Sequence, residues 1–252
     1  SMFFLFFNME YLVFALVPLL GSIIQTTMGF GNGVLIIAIL PFFLPFGKAV
    51  AYNLIACLFL TILVVAKMWR KINWKFLLPI ILPMMISSVA TTFWSASFNQ
   101  SVLRIILAVV FIMMVLIFLL NKKGVTIKPT TTKGIIIGMV SGTTNGLIGI
   151  GGPPAALYFR PAIKDNEEYI ATIQCYFIFQ SATGIVSRMS LGMLDKSDIL
   201  PLALILLSTA IGSMIGKSIS GKIKSGTMQK YAYVFIGLYG IYLLVSELIK
   251  YI

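Results

Sequence analysis

The stretch "GLIGIGGPPAALYF", residues 146–159, places four glycines and two adjacent prolines inside an otherwise apolar run. Gly149, Gly151 and Gly152 permit backbone angles that other residues resist. Pro153 and Pro154 suit the first turn of a helix, where a missing N–H costs little. The run therefore reads as helix, glycine break, and a new helix starting near residue 153. "MGFGNG" (28–33) has the same form, with Gly29, Gly31, Asn32 and Gly33 available for a break.

The chain around these breaks is that of a membrane protein. Of 252 residues, 59% are apolar and 10% charged, and the mean hydropathy is +1.02. Soluble domains are nearer half apolar and a quarter charged. Runs such as 49–66, 76–93, 102–120 and 231–246 are about long enough to cross a ~30 Å hydrocarbon core as helices. The alternating pattern of a β-barrel is absent. The expected class is an all-α integral membrane protein, multi-pass in the cell membrane, with the lipid bilayer as its surroundings. The opening Ser-Met reads as a tag scar. The apolar N-terminus, without a basic leader or a small-x-small cleavage site, reads as retained.

Ten apolar segments are expected, at 9–28, 33–47, 49–67, 75–97, 102–120, 133–148, 153–163, 168–188, 197–218 and 230–250. The halves resemble each other. "MGFGNG" answers "IGIGGP" at an offset of 120, and "INWKFLLP" (72–79) answers "LDKSDILP" (194–201) at an offset of 122. The expected organisation is two repeats, 1–124 and 125–252, joined through the basic gap "NKKGVTIKPTTTK" (121–133). Five segments per half is an odd number, so the repeats insert in opposite directions. Only Lys48, Arg104, Arg188, Lys196 and Lys250 then fall in outside gaps, leaving fourteen of the nineteen cations inside. Merging each broken pair into one span weakens the bias to eleven against eight. The inverted arrangement is favoured, whether the broken pairs are full spans or re-entrant hairpins.

The short pieces 33–47 and 153–163 reach ~22 Å and ~16 Å, too little to cross the core squarely. Irregular backbone at membrane depth is tolerated where protein or water satisfies it. A helix N-terminus there offers free N–H groups and a partial positive charge. Two such ends in inverted repeats form a recurrent transporter site for an anion. The alternative is close helix packing through small residues. The seven carboxylates, Glu10, Asp165, Glu167, Glu168, Asp195, Asp198 and Glu247, all avoid the expected span centres, which disfavours a cation path.

Asn32 and Asn145 flank the breaks and could donate to an anion or cap local backbone. Gln25, Asn53, Gln174 and Gln180 could line a path or bond between helices. Ser141, Thr143, Thr144, Thr26 and Thr27 precede the breaks. Arg188 and Arg160 could attract anions or anchor at an interface, and Trp69, Trp74 and Trp94 suit interfacial belts. The net charge of +12 sits in short gaps between apolar runs, as topology signals do, so nucleic acid is not an expected partner. Cys57 and Cys175 lie in apolar runs and read as small hydrophobes. With no histidine and no ligand cluster, neither a metal nor another cofactor is expected.

The "GIGGPP" break followed by "LYF", the earlier "GFGNG", and the paired "W/D-K-x-x-L-P" helix starts resemble the TauE/SafE sulfite exporter family, also called TSUP. The resemblance covers nearly the whole chain. It implies secondary transport of a small anion such as sulfite, thiosulfate, sulfoacetate or another sulfonate. It also implies that Gly149, Gly151, Gly152, Pro153 and Pro154 form the second break, and Gly29, Gly31 and Gly33 the first. Asn32 stands where a small residue is expected, making the breaks unequal. The expected substrate site is thus Gly29, Gly31, Asn32, Gly33, Asn145, Gly149, Gly151, Gly152, Pro153 and Pro154. Rival readings are an anion channel and a non-transporting scaffold. A membrane enzyme is disfavoured by the missing histidines and carboxylate pairs. Tyr158, Cys175 or the anion itself could carry a coupling proton, and uniport is an equal alternative. The sequence holds no signal of oligomeric state or direction of flux.

Overall fold

A computed structural model describes residues 2–28, 31–120, 129–219 and 225–250. Gly29 and the linker residues 121–128 lie outside the described residues. The helices are α1 (Met2–Met28), α2 (Asn32–Ile39), α3 (Phe46–Met68), α4 (Trp74–Ser95), α5 (Gln100–Leu120), α6 (Thr131–Ile148), α7 (Gly152–Ala162), α8 (Asn166–Ser190), α9 (Ile199–Ile219) and α10 (Ser225–Ile249). No strand occurs among the described residues. Among the described residues, six helices are long and apolar enough to cross a membrane. Their outward faces carry side chains such as Leu82, Ile86 and Met214, each exposed by two thirds or more, as a lipid-facing surface requires. Trp69, Trp74 and Trp94 are exposed near helix ends.

The ten expected segments correspond to the ten helices, with corrections of extent: α1 begins at Met2 rather than 9, α10 at Ser225 rather than 230, and the second segment is shorter. The segment expected over 33–47 is helical only to Ile39, then forms a 3-10 turn over Leu40–Phe42. Pro41 supplies no N–H and restrains the residue before it, which ends the α-helix. Arg104 donates to the Pro41 carbonyl at 2.8 Å, satisfying a group the turn leaves open. The next helix starts at Phe46, with Pro45 as its N-cap.

Four helix pairs organise the fold: α4 on α6, α1 on α9, α3 on α8, and α5 on α10. The first pair owes its closeness to glycines. Gly138, Gly142 and Gly146 recur every four residues on α6, and so share one face. A Cβ on Gly138 would stand 2.5 Å from the Ile80 carbonyl oxygen, and one on Gly142 2.2 Å from that of Met84. Only a helix without side chains there reaches such an approach. In the α1–α9 pair, Gly212 plays this part against the Leu19 carbonyl.

Two apolar cores flank the broken helices. One gathers Ile36 and Ile37 of α2 with Val50 and Leu54 of α3 and Phe111 of α5. The other gathers Leu77 and Met84 of α4 with Tyr158 and Phe159 of α7 and Tyr176 of α8. Each short helix is thus clamped by burial on its sides, which leaves its N-terminal end as the place where polar groups collect.

Candidate functional site

The second break is built as its residues dictate. Gly149 caps α6 at φ 73°, ψ 17°, the left-handed region that favours glycine. Its N–H donates to the Asn145 carbonyl at 2.8 Å. Gly151 is the N-cap of α7, which begins at Gly152 with Pro153 and Pro154 in its first turn. Gly151 is buried, and its carbonyl accepts a hydrogen bond from Ser141. The Ser141 hydroxyl is bonded in turn to the Tyr176 hydroxyl. A Cβ on Gly151 would lie 2.6 Å from the Ser141 carbonyl oxygen and 2.9 Å from Gln180 Oε1. The glycine is there because the chain passes too close to α6 and α8 for anything larger.

The first break turns at Gly31, whose φ of 128° is again a glycine conformation. It is the N-cap of α2, and Asn32 is the first helical residue. Asn32 is fully buried, yet among the described residues neither its amide nitrogen nor its amide oxygen has a hydrogen-bond partner. A Cβ on Gly21 of α1 would meet Asn32 Oδ1 at 2.5 Å.

Asn53 of α3 lies against both breaks. Its Nδ2 donates to the Gly149 carbonyl at 3.5 Å, and a Cβ on Gly33 would stand 3.1 Å from its Oδ1. Asn145 is also fully buried. Its Nδ2 donates to Ser88 Oγ at 2.8 Å and to the Gln180 carbonyl at 3.1 Å, while its Oδ1 has no partner. The structure therefore brings Gly33 and Gly149 together across Asn53. It ties Asn145 and Gly151 to one neighbourhood around Ser141 and Gln180. Asn32 stands apart, against α1. Pro153 and Pro154 are half-buried, and they remove two of the N–H groups that a helix start would otherwise present. The α2 start, with N–H groups on Asn32, Gly33 and Val34, is the better donor of the two.

Thr143 and Thr144 spend their hydroxyls on carbonyls of α6 itself, and Thr26 does the same on Ser22. Of the hydroxyl residues preceding the second break, Ser141 is the one that holds it. Arg160 is exposed, donates to Asn166 and lies over the Tyr169 ring. Arg188 is only 2% exposed, which overturns its reading as an interface anchor. Sequence reasoning missed Ser88, Thr92 and Tyr176. The repeated small polar positions Ser88 and Thr92, four residues apart in an apolar helix, were the available signal.

An all-helical bundle with an apolar outer surface and two glycine breaks meeting at one asparagine matches the resemblance noted in the sequence. The sulfite exporter TauE/SafE family matches residues 14–243, nearly the whole chain. The chain belongs to the TauE/SafE family. TauE/SafE membership makes it a multi-pass membrane protein of a transporter family that handles sulfite-type anions, not of an enzyme family. No curated protein and no solved structure matches it.

Proposed function

We propose that this TauE/SafE protein is a secondary transporter that moves a small anion, such as sulfite, thiosulfate or a sulfonate, across the cell membrane by alternating access. The moving units are two inverted repeats, 1–124 and 125–252. Exchanging the halves turns the α4–α6 pair into the α9–α1 pair, and turns α3–α8 and α5–α10 into themselves, and all four pairs are packed. That pattern supports the repeat reading.

The observation that carries the site is Asn32. A buried amide with no partner costs about 1–3 kcal/mol. It stands at the start of α2, beside uncapped N–H groups. An oxyanion seated there would accept from the amide and from the first-turn N–H groups, with the helix end favouring its charge. Gly31 and Gly33 let the backbone approach it, and Gly29 belongs to the same proposed break. Asn145, Gly149, Gly151, Gly152, Pro153 and Pro154 make up the second break, which Asn53 joins to Gly33 of the first. The test is uptake of radiolabelled sulfite and thiosulfate into proteoliposomes holding the purified chain. Saturable uptake is expected, lost in Gly31→Leu and Gly151→Leu. Normal transport by both variants, if folded, would remove the breaks as the site. Unitary currents in a planar bilayer would reassign the protein as a channel.

A further inference from the structure

Arg188 lies on α8 near its C-terminal end and is almost completely buried. Its guanidinium donates to two backbone carbonyls, Gly184 at 3.2 Å and Gly146 at 2.8 Å. Among the described residues it meets no carboxylate. A guanidinium has five N–H donors and stays charged. A buried charge without a counter-charge is costly, and the Gly146 carbonyl in the last turn of α6, where a helix end favours a cation, offsets part of that cost.

Arg188 lines a cavity of about 120 Å³, room for several waters or for one small oxyanion. Thr92, Ser95 and Gln100 supply its other polar groups, and no carboxylate lines it. Two helix starts also reach it. Phe46 and Gly47 open α3, which has no side-chain cap, and Gln100 opens α5. Helix N-termini add partial positive charge and open N–H groups. The last turns of α4 and α6, at Ser95 and Leu147, line it as well, so Arg188 is the one full charge among the described residues on its wall. The cavity lies among the α2–α3, α4–α5 and α8–α9 gaps, the face with the fewer cations. It is separate from the breaks yet connected to them, because Arg188 and Thr92 both hold the Gly146 carbonyl, one turn before Gly149.

We propose that this cavity is an anion-binding subsite, with Arg188 as its charged anchor, that takes a small oxyanion such as sulfite or the headgroup of a sulfonate. Its place as an outer station on a transport path rests on the function proposed above; its chemistry does not. A planar guanidinium presents paired donors that match two oxygens of an oxyanion, a fit that spherical chloride does not reproduce.

The experiment is calorimetric titration of the full chain in detergent with sodium sulfite, sodium methanesulfonate and sodium chloride at equal ionic strength. Two cavity variants are compared with wild type. Arg188→Gln removes the anchor. Gln100→Trp fills the mouth from an exposed position and leaves the interior intact, so it reports even if Arg188→Gln does not fold. Gly151→Leu serves as the break variant. The expected result is oxyanion binding by wild type and by Gly151→Leu, weakened about tenfold or more by either cavity variant, with chloride silent. Sulfite binding that Gly151→Leu abolishes and both cavity variants retain would overturn the subsite while leaving the proposed function standing. Absence of binding by wild type at millimolar anion, or equal response to chloride, would also overturn it.

Discussion

The Tyr52 hydroxyl donates to the Asp198 carboxylate at 2.5 Å, joining α3 to the turn that leads into α9. Asp198 is 3% exposed. Its second oxygen accepts the Asp195 N–H at 2.7 Å, and Lys48 Nζ lies 2.8 Å away. The buried carboxylate is therefore neutralised and fully hydrogen-bonded, the condition under which such a charge is tolerated. At the other end of α3, Lys71 pairs with Glu167 and Asn73 donates to Glu168. Each end of the α3–α8 region thus carries a polar tie between the two halves of the chain.

Removing Asp198 leaves the Tyr52 hydroxyl without its acceptor and Lys48 with Asp195 alone. Asp198→Ala is expected to destabilise by about 2–3 kcal/mol, and Tyr52→Phe by about 1 kcal/mol. Thermal unfolding in detergent measures both. The order should reverse if Tyr52, rather than the carboxylate, is the centre of the tie.

The two ties predict opposite effects on access. Lys48→Ala, in the gap with few cations, should raise labelling of a cysteine placed at Gln100 and leave one placed at Asn166 unchanged. Lys71→Ala should do the reverse. Equal labelling of both sites in both variants would count against alternating access.

Asn32 is held unpaired at a cost, so Asn32→Leu is expected to raise the melting temperature of the ligand-free protein while abolishing transport. A stabilised, inactive variant separates a functional residue from a structural one. A destabilised variant would mean the amide is needed to hold the fold.

Gly142 and Gly192 test two different reasons for glycine. A Cβ on Gly142 would meet the Ser87 hydroxyl at 2.1 Å, so Gly142→Ala should cost about 1–3 kcal/mol through overpacking between α4 and α6. Gly192 has open space around it but a φ of 70°. Gly192→Ala should cost about 1 kcal/mol from backbone strain alone. Paired melts of the two variants check the ranking.

Asp195 is held at about 2, below its ordinary 3.8, chiefly by hydrogen bonds from the Ser197 hydroxyl and N–H, with Lys48 adding to them. A depressed carboxylate favours the folded state above its unfolded value. Its contribution should persist from neutral pH to about 4 and fade as pH falls toward 2. Ser197→Ala should move the carboxylate midpoint upward in a titration followed by carbon-13 NMR.

Hydrophobic run length and glycine–proline punctuation determined most of the architecture from sequence alone. Ten helices, two breaks near 29–33 and 149–153, and a short helix after each follow from local rules. A run of twenty apolar residues has few alternatives to a membrane helix, and "GIGGPP" cannot continue one. Asn53, Ser141 and Gln180 were visible as polar residues in apolar helices, but which of them touch a break was not.

Tertiary structure decided the rest, because it depends on residues far apart in the chain. Periodicity shows that Gly138, Gly142 and Gly146 share a face, but only the α4 carbonyls opposite them show how close the helices come. Asp198 and Arg188 look alike in sequence, each a charge near a helix end. The fold gives Asp198 a lysine and a tyrosine from α3, and gives Arg188 two carbonyls and a cavity. The cost of a buried charge is set by what surrounds it in space, and a linear sequence does not record that.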